Sequence, residues 1–158
     1  MPGQILAELK QTKPFPSLGE EAAVSLARTW ALFDHAGEEL MAKYGITQTQ
    51  YNVLRILRGA GPAGLCRSEI GERMISRVPD VTRLLDRMEA AGLVERERGD
   101  EDRRFVTARI TREGLKMLTR LDQPLNDFIR SKLGFLGESK LRTLIDLLAD
   151  VRTAFPLG

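Results

Sequence analysis

The sequence predicts a mainly α-helical protein with a small β-hairpin wing, and three observations predict this fold class. Apolar residues recur at helical spacing through most of the 158 residues, which is typical of amphipathic helices. Two short predicted helices in the middle of the chain carry apolar residues at the spacing of a helix-turn-helix. Directly after them the apolar pattern changes to period two on both sides of a Gly-Asp pair at 99–100, which indicates a hairpin.

The composition argues against several classes of protein. With 42% hydrophobic and 29% charged residues, the chain is expected to fold. One histidine and one cysteine supply too few ligands for the usual zinc sites. Neither a nucleophile elbow nor a phosphate-binding glycine loop is present, so we expect no enzyme, no catalytic residue and no cofactor. No apolar run approaches the roughly 20 residues of a membrane span, and the N-terminus is too polar for a secretory signal, so we expect a cytoplasmic protein with no membrane partner.

The first third of the chain predicts an arm and two helices. Residues 1–16 contain prolines at 2, 14 and 16 and lack a clear apolar period, which predicts a partly ordered arm. Ser17 and Glu20 form a capping box that begins a long helix, and Gly45 ends it in a left-handed conformation. A second capping box at 47–50 begins a short helix, which GAGPAG at 59–64 ends.

The middle of the chain contains the predicted helix-turn-helix. A third short helix turns Ile70 and Met74 inward, and Gly71 beside Ile70 allows a neighbouring helix to cross closely. Pro79 is predicted to start a fourth helix from its first turn, and Gly92 closes that helix. The apolar stripe of the fourth helix consists of Val81, Leu84, Leu85 and Met88.

A highly charged ribbon at 95–106 lies between apolar residues on both sides. The alternating residues are Val94, Arg96 and Arg98 before the Gly-Asp pair, and Val106, Ala108 and Ile110 after it. We therefore predict an ordered hairpin whose apolar base packs on the domain and whose charged tip projects into water.

The C-terminal third predicts two further helices. Thr111 caps a long helix that Pro124 should kink or restart. The helical pattern is interrupted at 134–137, before a last amphipathic helix. The first and last long helices carry wide apolar faces, which two chains would bury by sharing them. We predict three parts: an arm at 1–16, a helical dimerisation region at 17–45 and 112–158, and a winged helix-turn-helix at 46–111.

Burial of the apolar stripe leaves a polar outer face on the fourth helix. This face consists of Asp80, Thr82, Arg83, Asp86 and Arg87. Arg83 has the geometry to pair bidentately with guanine, which is worth about 1–3 kcal/mol of discrimination, and Thr82 suits a thymine methyl group or a phosphate.

From Arg77 to Arg109 the chain contains eight arginines and eight acidic residues. We expect these acids to hold arginine side chains in place or to face away from DNA.

The run EIGERM at 69–74 and the run VTRLLDRMEAAGLVERERGDEDRRFVTARITREG at 81–114 resemble the MarR family of bacterial transcription regulators. The resemblance implies a winged helix whose terminal helices interlock into a homodimer. It also implies that Arg104, held by Asp102, enters the minor groove, and that residues around 77–87 read the major groove. We therefore expect a ligand-responsive homodimeric repressor that binds a pseudo-palindromic site on double-stranded DNA. The predicted DNA-binding residues are Ser68, Arg77, Pro79, Asp80, Thr82, Arg83, Arg87, Asp102, Arg103 and Arg104.

Several alternatives stay open from the sequence. The neutral charge of the central segment also fits a winged-helix interaction module that binds no DNA. Cys66 is either a redox switch or a small residue that caps a helix. His35 either lines an effector pocket or is a polar residue on a helix. Trp30, Phe33 and Tyr51 either cradle a small aromatic effector, whose identity the sequence does not give, or pack in the core or a dimer interface.

Overall fold

The computed structural model describes residues 4–99 and 106–156. The helices are α1 (Gln4–Glu8), α2 (Leu18–Ala42), α3 (Gln48–Ala60), α4 (Arg67–Arg73), α5 (Val81–Ala90), α6 (Arg112–Leu133) and α7 (Gly137–Arg152), and the strands are β1 (Leu65–Cys66), β2 (Val94–Arg98) and β3 (Val106–Ile110). This mainly helical architecture with one small antiparallel sheet confirms the predicted fold class. The chain forms two compact units, residues 1–53 and 54–158. The predicted boundary at residue 46 does not coincide with this division and stays a prediction.

The first unit contains α1, α2 and the start of α3. The sequence did not predict α1, a five-residue helix inside the proposed arm, in which Ile5 is buried. Ser17 caps α2 as predicted, because its hydroxyl accepts a hydrogen bond of 3.1 Å from the Glu20 amide. The predicted capping box at the start of α3 is complete: the Thr47 amide donates to the Gln50 side chain at 3.1 Å, and the Gln50 amide donates to Thr47 Oγ1 at 3.1 Å.

The core of the second unit is built from apolar side chains of five elements. Its fully buried residues are Leu54 and Leu57 of α3, Ile70 of α4, Met88 of α5, Val94 of β2, and Leu118 and Leu121 of α6. These residues come from the helical stripes that the sequence predicts, and they hold α4, α5 and the sheet around one apolar centre.

The sheet has the strand order β1-β3-β2, so the hairpin strand β3 is central and β2 is an edge. The sequence did not predict β1, in which Leu65 pairs with Ala108 and Cys66 with Thr107. Gly64 precedes β1 with φ of +68°, and a Cβ atom there would lie 2.5 Å from the Ala108 carbonyl oxygen. Glycine at this position therefore lets the chain approach β3 closely enough to pair.

The two C-terminal helices differ in burial. Helix α6 continues through Pro124, so of the two predicted outcomes the restart is excluded and the kink stays a prediction. The missing N–H removes one hydrogen bond of the helix but does not end it. Helix α7 has no buried residue, and Ile145 and Leu147 are among its exposed apolar side chains. Among the described residues, no helix is long and apolar enough to cross a membrane.

Candidate nucleic-acid interface

Helices α4 and α5 form the helix-turn-helix, joined by residues 74–80. Ile70 is fully buried between them, whereas Met74 is half-buried and lies one residue beyond the end of α4. The helices cross closely at Gly71, where an added Cβ atom would lie 3.7 Å from Val81 Cγ2. This separation is an ordinary van der Waals contact, so alanine would also fit and glycine is not required here.

The start of α5 differs from the prediction. Pro79 lies before the helix rather than in its first turn, and Asp80 is the N-cap residue. The Asp80 carboxylate accepts a hydrogen bond of 2.9 Å from the Arg83 amide. Because Pro79 lies outside α5, no amide of the first helical turn is lost to proline. The side chain of Asp80 thus satisfies one of the unpaired amides of the helix start. This structural role is additional to the predicted role of Asp80 on the DNA-binding face.

The burial and exposure of its side chains confirm that α5 has a polar outer face. Thr82, Arg83, Asp86 and Arg87 are exposed, while Leu84, Leu85 and Met88 are at most 3% exposed. Helix α5 ends in a Schellman motif, because Gly92 with φ of +72° donates to the Glu89 carbonyl at 2.9 Å and Leu93 donates to the Met88 carbonyl at 2.9 Å. Both ends of the helix are therefore fixed, and its outer face has a defined orientation on the second unit.

The N-terminus of α4 lies beside the N-terminus of α5. Ser68 is exposed in the first turn of α4, and its hydroxyl is 3.1 Å from the thiol of Cys66. Arg67 Nη1 donates to Thr82 Oγ1 at 3.3 Å, so the Thr82 hydroxyl is engaged while its methyl group stays available. A cleft of about 400 Å³ opens here; it is lined by Cys66, Arg67, Ser68, Thr82, Leu85, Arg96, Val106 and Ala108. No local pattern in the sequence selects Arg67, since its contact with Thr82 spans fifteen residues.

The predicted hairpin is confirmed, with a register that places Arg98 opposite Val106 and Val94 opposite Ile110. The predicted turn at Gly99-Asp100 and the charged tip lie largely outside the described residues, so their form stays a prediction. Three predicted DNA-binding residues, Asp102, Arg103 and Arg104, lie outside the described residues, and their assignment stays a prediction.

Arg96 of β2 makes four polar contacts with α5. Its backbone amide donates to Glu89 Oε1 at 3.1 Å, and its guanidinium donates to Glu89 Oε2 from Nε at 3.0 Å and from Nη2 at 2.6 Å. The same Nη2 lies 2.6 Å from Asp86 Oδ1. The hydrogen bond from Arg96 lowers the pKa of Glu89, and the Glu89 carboxylate raises the pKa of Arg96 further.

The sequence did not single out Arg96 as a functional residue. One signal in the sequence pointed to its partner: Glu89 lies in the last turn of α5, where the helix dipole disfavours an acid. A nearby cation would offset this unfavourable interaction, but the sequence does not indicate which arginine is that cation.

The ion pairs sort the described arginines of the neutral central segment into two groups, those that acids hold and those that no acid holds, with Arg83 between the two. Arg96 is held by Glu89 and Asp86, and Arg109 Nη1 lies 2.7 Å from Glu97 Oε2. By contrast, Arg83 Nε is 3.9 Å from Asp80 Oδ2, and the Arg83 side chain is 82% exposed, which makes a weak contact. The second group has no ion pair with any described residue; it comprises Arg77, Arg87 and Arg98. The described acids are therefore largely occupied on the structural arginines, and the remaining arginines give the outer surface a positive character.

The other candidate residues have plainer surroundings. Cys66 is half-buried at the N-cap of α4, where its amide donates to Glu69 Oε2 at 2.7 Å. His35 is exposed on α2, with Nε2 3.6 Å from Glu39 Oε1. Tyr51 is buried, whereas Trp30 is 52% exposed and Phe33 is half-buried. These positions do not test the aromatic effector site, which stays a prediction.

The comparisons with known proteins agree with this geometry. The model of the MarR family matches residues 46–106. The chain is 31% identical to the HTH-type transcriptional regulator PecS of Dickeya dadantii over 128 residues, which are 80% of this chain and 77% of that protein. It is 38% identical to the MarR transcription factor from Planctomyces limnophilus, whose crystal structure matches with a TM-score of 0.68 over 85% of this chain and 98% of that one.

Two further solved structures contain bound molecules. The transcriptional repressor CouR, bound to a 23-mer DNA duplex, is 26% identical with a TM-score of 0.72, over 92% of this chain and 96% of that one. The PcaV regulator from Streptomyces coelicolor, in complex with its natural ligand, is also 26% identical with a TM-score of 0.72, over 90% of this chain and 99% of that one. Together with the helix-turn-helix, the wing and the identity to PecS, these matches show that the chain belongs to the MarR family of transcriptional regulators.

Proposed function

We propose that the chain is a homodimeric, ligand-responsive repressor that binds a pseudo-palindromic operator on double-stranded DNA. The observation that carries the proposal is the outer face of α5, which is polar and exposed while its inner face is buried. A capped helix with such a face fits the major groove, where its N-terminal residues meet base edges. The similarity to CouR, which is solved on a DNA duplex, supports the same mode of binding.

The charges of the interface favour DNA over a protein partner. An interaction module is expected to present an apolar patch on this face, whereas Thr82, Arg83 and Arg87 are polar and exposed. Although the segment from Arg77 to Arg109 is neutral in sum, three of its acids are paired with only two of its arginines, Arg96 and Arg109. Arginines without a described partner are then available for phosphates and bases.

The proposal of a homodimer rests on exposed apolar side chains. On α2, Trp30 and Leu32 are each 52% exposed, and on α7, Ile145 is 61% exposed. Such side chains are costly in water and indicate surfaces that another chain covers. A two-fold dimer presents two copies of α5, which would meet half-sites about 34 Å apart. Sedimentation equilibrium of the free protein tests the dimer directly.

The proposal of ligand control rests on the similarity to PcaV, which is solved with its natural ligand. A ligand that binds one spacing of the two recognition helices better than another would shift the dimer away from the spacing that fits DNA. A screen of small aromatic acids and phenols by release of a bound duplex would test this part. A panel in which no compound changes DNA affinity would argue against aromatic control.

Hydroxyl-radical footprinting of the DNA upstream of the protein's own gene tests the whole proposal. We expect two protected half-sites about one helical turn apart. A single protected half-site would contradict the dimer, and protection spread without preference along the duplex would contradict sequence-specific binding.

A further inference from the structure

From these contacts we infer that Arg96 is the positioning residue that fixes the wing to the recognition helix, with Glu89 and Asp86 of α5 as its acceptors. The inference rests on the proposed function, because it assumes that the wing and α5 bind the same DNA. It concerns a residue that would act through others, since its own guanidinium is turned towards α5 and is 23% exposed.

The contact with Glu89 occupies one backbone amide on the free edge of the sheet. Because β2 is an edge strand and the Arg96 amide donates to Glu89 Oε1, this amide points away from β3. One carboxylate thus accepts a backbone amide through one oxygen and the guanidinium through the other. Both the direction of the strand and the direction of the side chain are fixed relative to α5.

The contact with Asp86 reaches one turn further towards the DNA-facing part of α5. Arg96 Nη2 is 2.6 Å from Asp86 Oδ1, and the Asp86 side chain is 53% exposed. Left alone, this carboxylate would repel phosphates next to Arg87. Its pairing with Arg96, which also holds Glu89, offsets part of this repulsion.

The packing around Arg96 indicates that it positions the strand. Arg96 lies directly opposite Ala108, which is 1% exposed, so both side chains lie on the face of the sheet that packs on the domain. On this face an apolar side chain is the usual occupant. Here the position holds a guanidinium, whose N–H groups are accepted by Glu89 and Asp86. The cost of burying it is offset only if both acceptors stay in place.

The test compares the removal of two acids with equal charge. Glu89→Ala deletes one of the two acceptors of Arg96. Glu95→Ala deletes an exposed acid of β2, the strand of Arg96, that makes no ion pair with a described residue. If acids near DNA acted by repulsion alone, both variants would bind an operator duplex more tightly than the wild type. We expect Glu89→Ala to weaken binding about tenfold, and Glu95→Ala to leave it within about twofold of the wild type or to tighten it.

Two further measurements separate positioning from charge and from loss of fold. Arg96→Lys keeps the charge but not the fork, so we expect it to weaken binding as well; full affinity in this variant would mean that Arg96 acts as a simple cation. In the free protein, amide hydrogen exchange of Val94–Arg98 should become faster in Glu89→Ala while Leu118 and Leu121 stay protected.

The exchange measurement keeps this inference distinct from the proposed function. If the wild type bound no duplex, the proposed function would fail, yet faster exchange confined to β2 would still support the link between Arg96 and Glu89. Unchanged exchange in β2, or DNA binding of Glu89→Ala as tight as that of the wild type, would overturn the inference.

Discussion

Replacement of Asp80 tests the start of the recognition helix. Its carboxylate accepts the Arg83 amide at 2.9 Å, and loss of such a cap costs about 1 kcal/mol. The second contact, from Asp80 Oδ2 to Arg83 Nε at 3.9 Å, joins side chains that are 53% and 82% exposed and adds almost nothing. We therefore expect Asp80→Ala to lower the free energy of unfolding by about 1 kcal/mol and the melting temperature by about 2–4 °C.

Asp80→Ser is the matched control, because serine retains an acceptor at the N-cap but removes the negative charge. Urea unfolding should give a free energy close to that of the wild type for Asp80→Ser and a lower one for Asp80→Ala. Fluorescence anisotropy should show tighter DNA binding by Asp80→Ser, since one charge that repels phosphates has been removed. The reasoning would be refuted if serine destabilised the protein as much as alanine, or if the serine variant bound DNA more weakly.

Three further predictions concern a helix, an arginine and an acid. Gly71→Ala should raise the free energy of unfolding by about 0.5–1 kcal/mol, because the new methyl group meets Val81 Cγ2 at an ordinary 3.7 Å; a lower free energy by urea unfolding would show that the helices cannot accept it. Arg87→Ala should weaken binding to all duplexes and reduce the slope of log affinity against log salt by about one, and an unchanged slope would exclude a phosphate contact. The stability that Glu89 contributes should be present above its ordinary pKa of 4.5 and be lost as the pH falls through its lower folded value, so the difference between wild type and Glu89→Gln should shrink in that range; a constant difference from pH 7 to 3 would contradict the pairing with Arg96.

The helices and the hairpin were predictable from the sequence because their signals are local. The capping residues Ser17, Thr47 and Gln50 make the expected hydrogen bonds. Of the stripe on α5, Leu84, Leu85 and Met88 are buried as its spacing predicts, and Val81 is half-buried. By contrast, β1 is only two residues long, which is too short to show an alternating pattern. Its existence depends on pairing with β3, about forty residues later in the chain.

The start of α5 differs from the prediction because two local signals competed there. In the run VPDV, Pro79 favours a first helical turn while Asp80 favours an N-cap, and the hydrogen bond from the Arg83 amide shows that the cap determines the start. Pro124 predicted a kink or a restart, and of these the restart is absent, because the long apolar face of α6, which includes the buried Leu121, keeps the helix continuous.

The polar part of the interface was only partly predictable. The outer face of α5 follows from the apolar stripe, because a residue that is not in the stripe must face outwards. The partners of Arg96 and Thr82 could not be inferred, since they depend on how β2, α4 and α5 pack together. The expectation that acids hold arginines was right in kind, with Arg96 and Arg109 as the arginines that are held among the described residues.

The most direct test of the central claim is fluorescence anisotropy with a labelled duplex from upstream of the protein's own gene, beside a scrambled duplex, across a salt series. We expect tight binding to the first duplex alone, with affinity that falls steeply as salt rises. Equal weak binding to both duplexes would contradict sequence-specific recognition of this DNA, and absence of binding at low salt by a folded dimer would favour an interaction module instead.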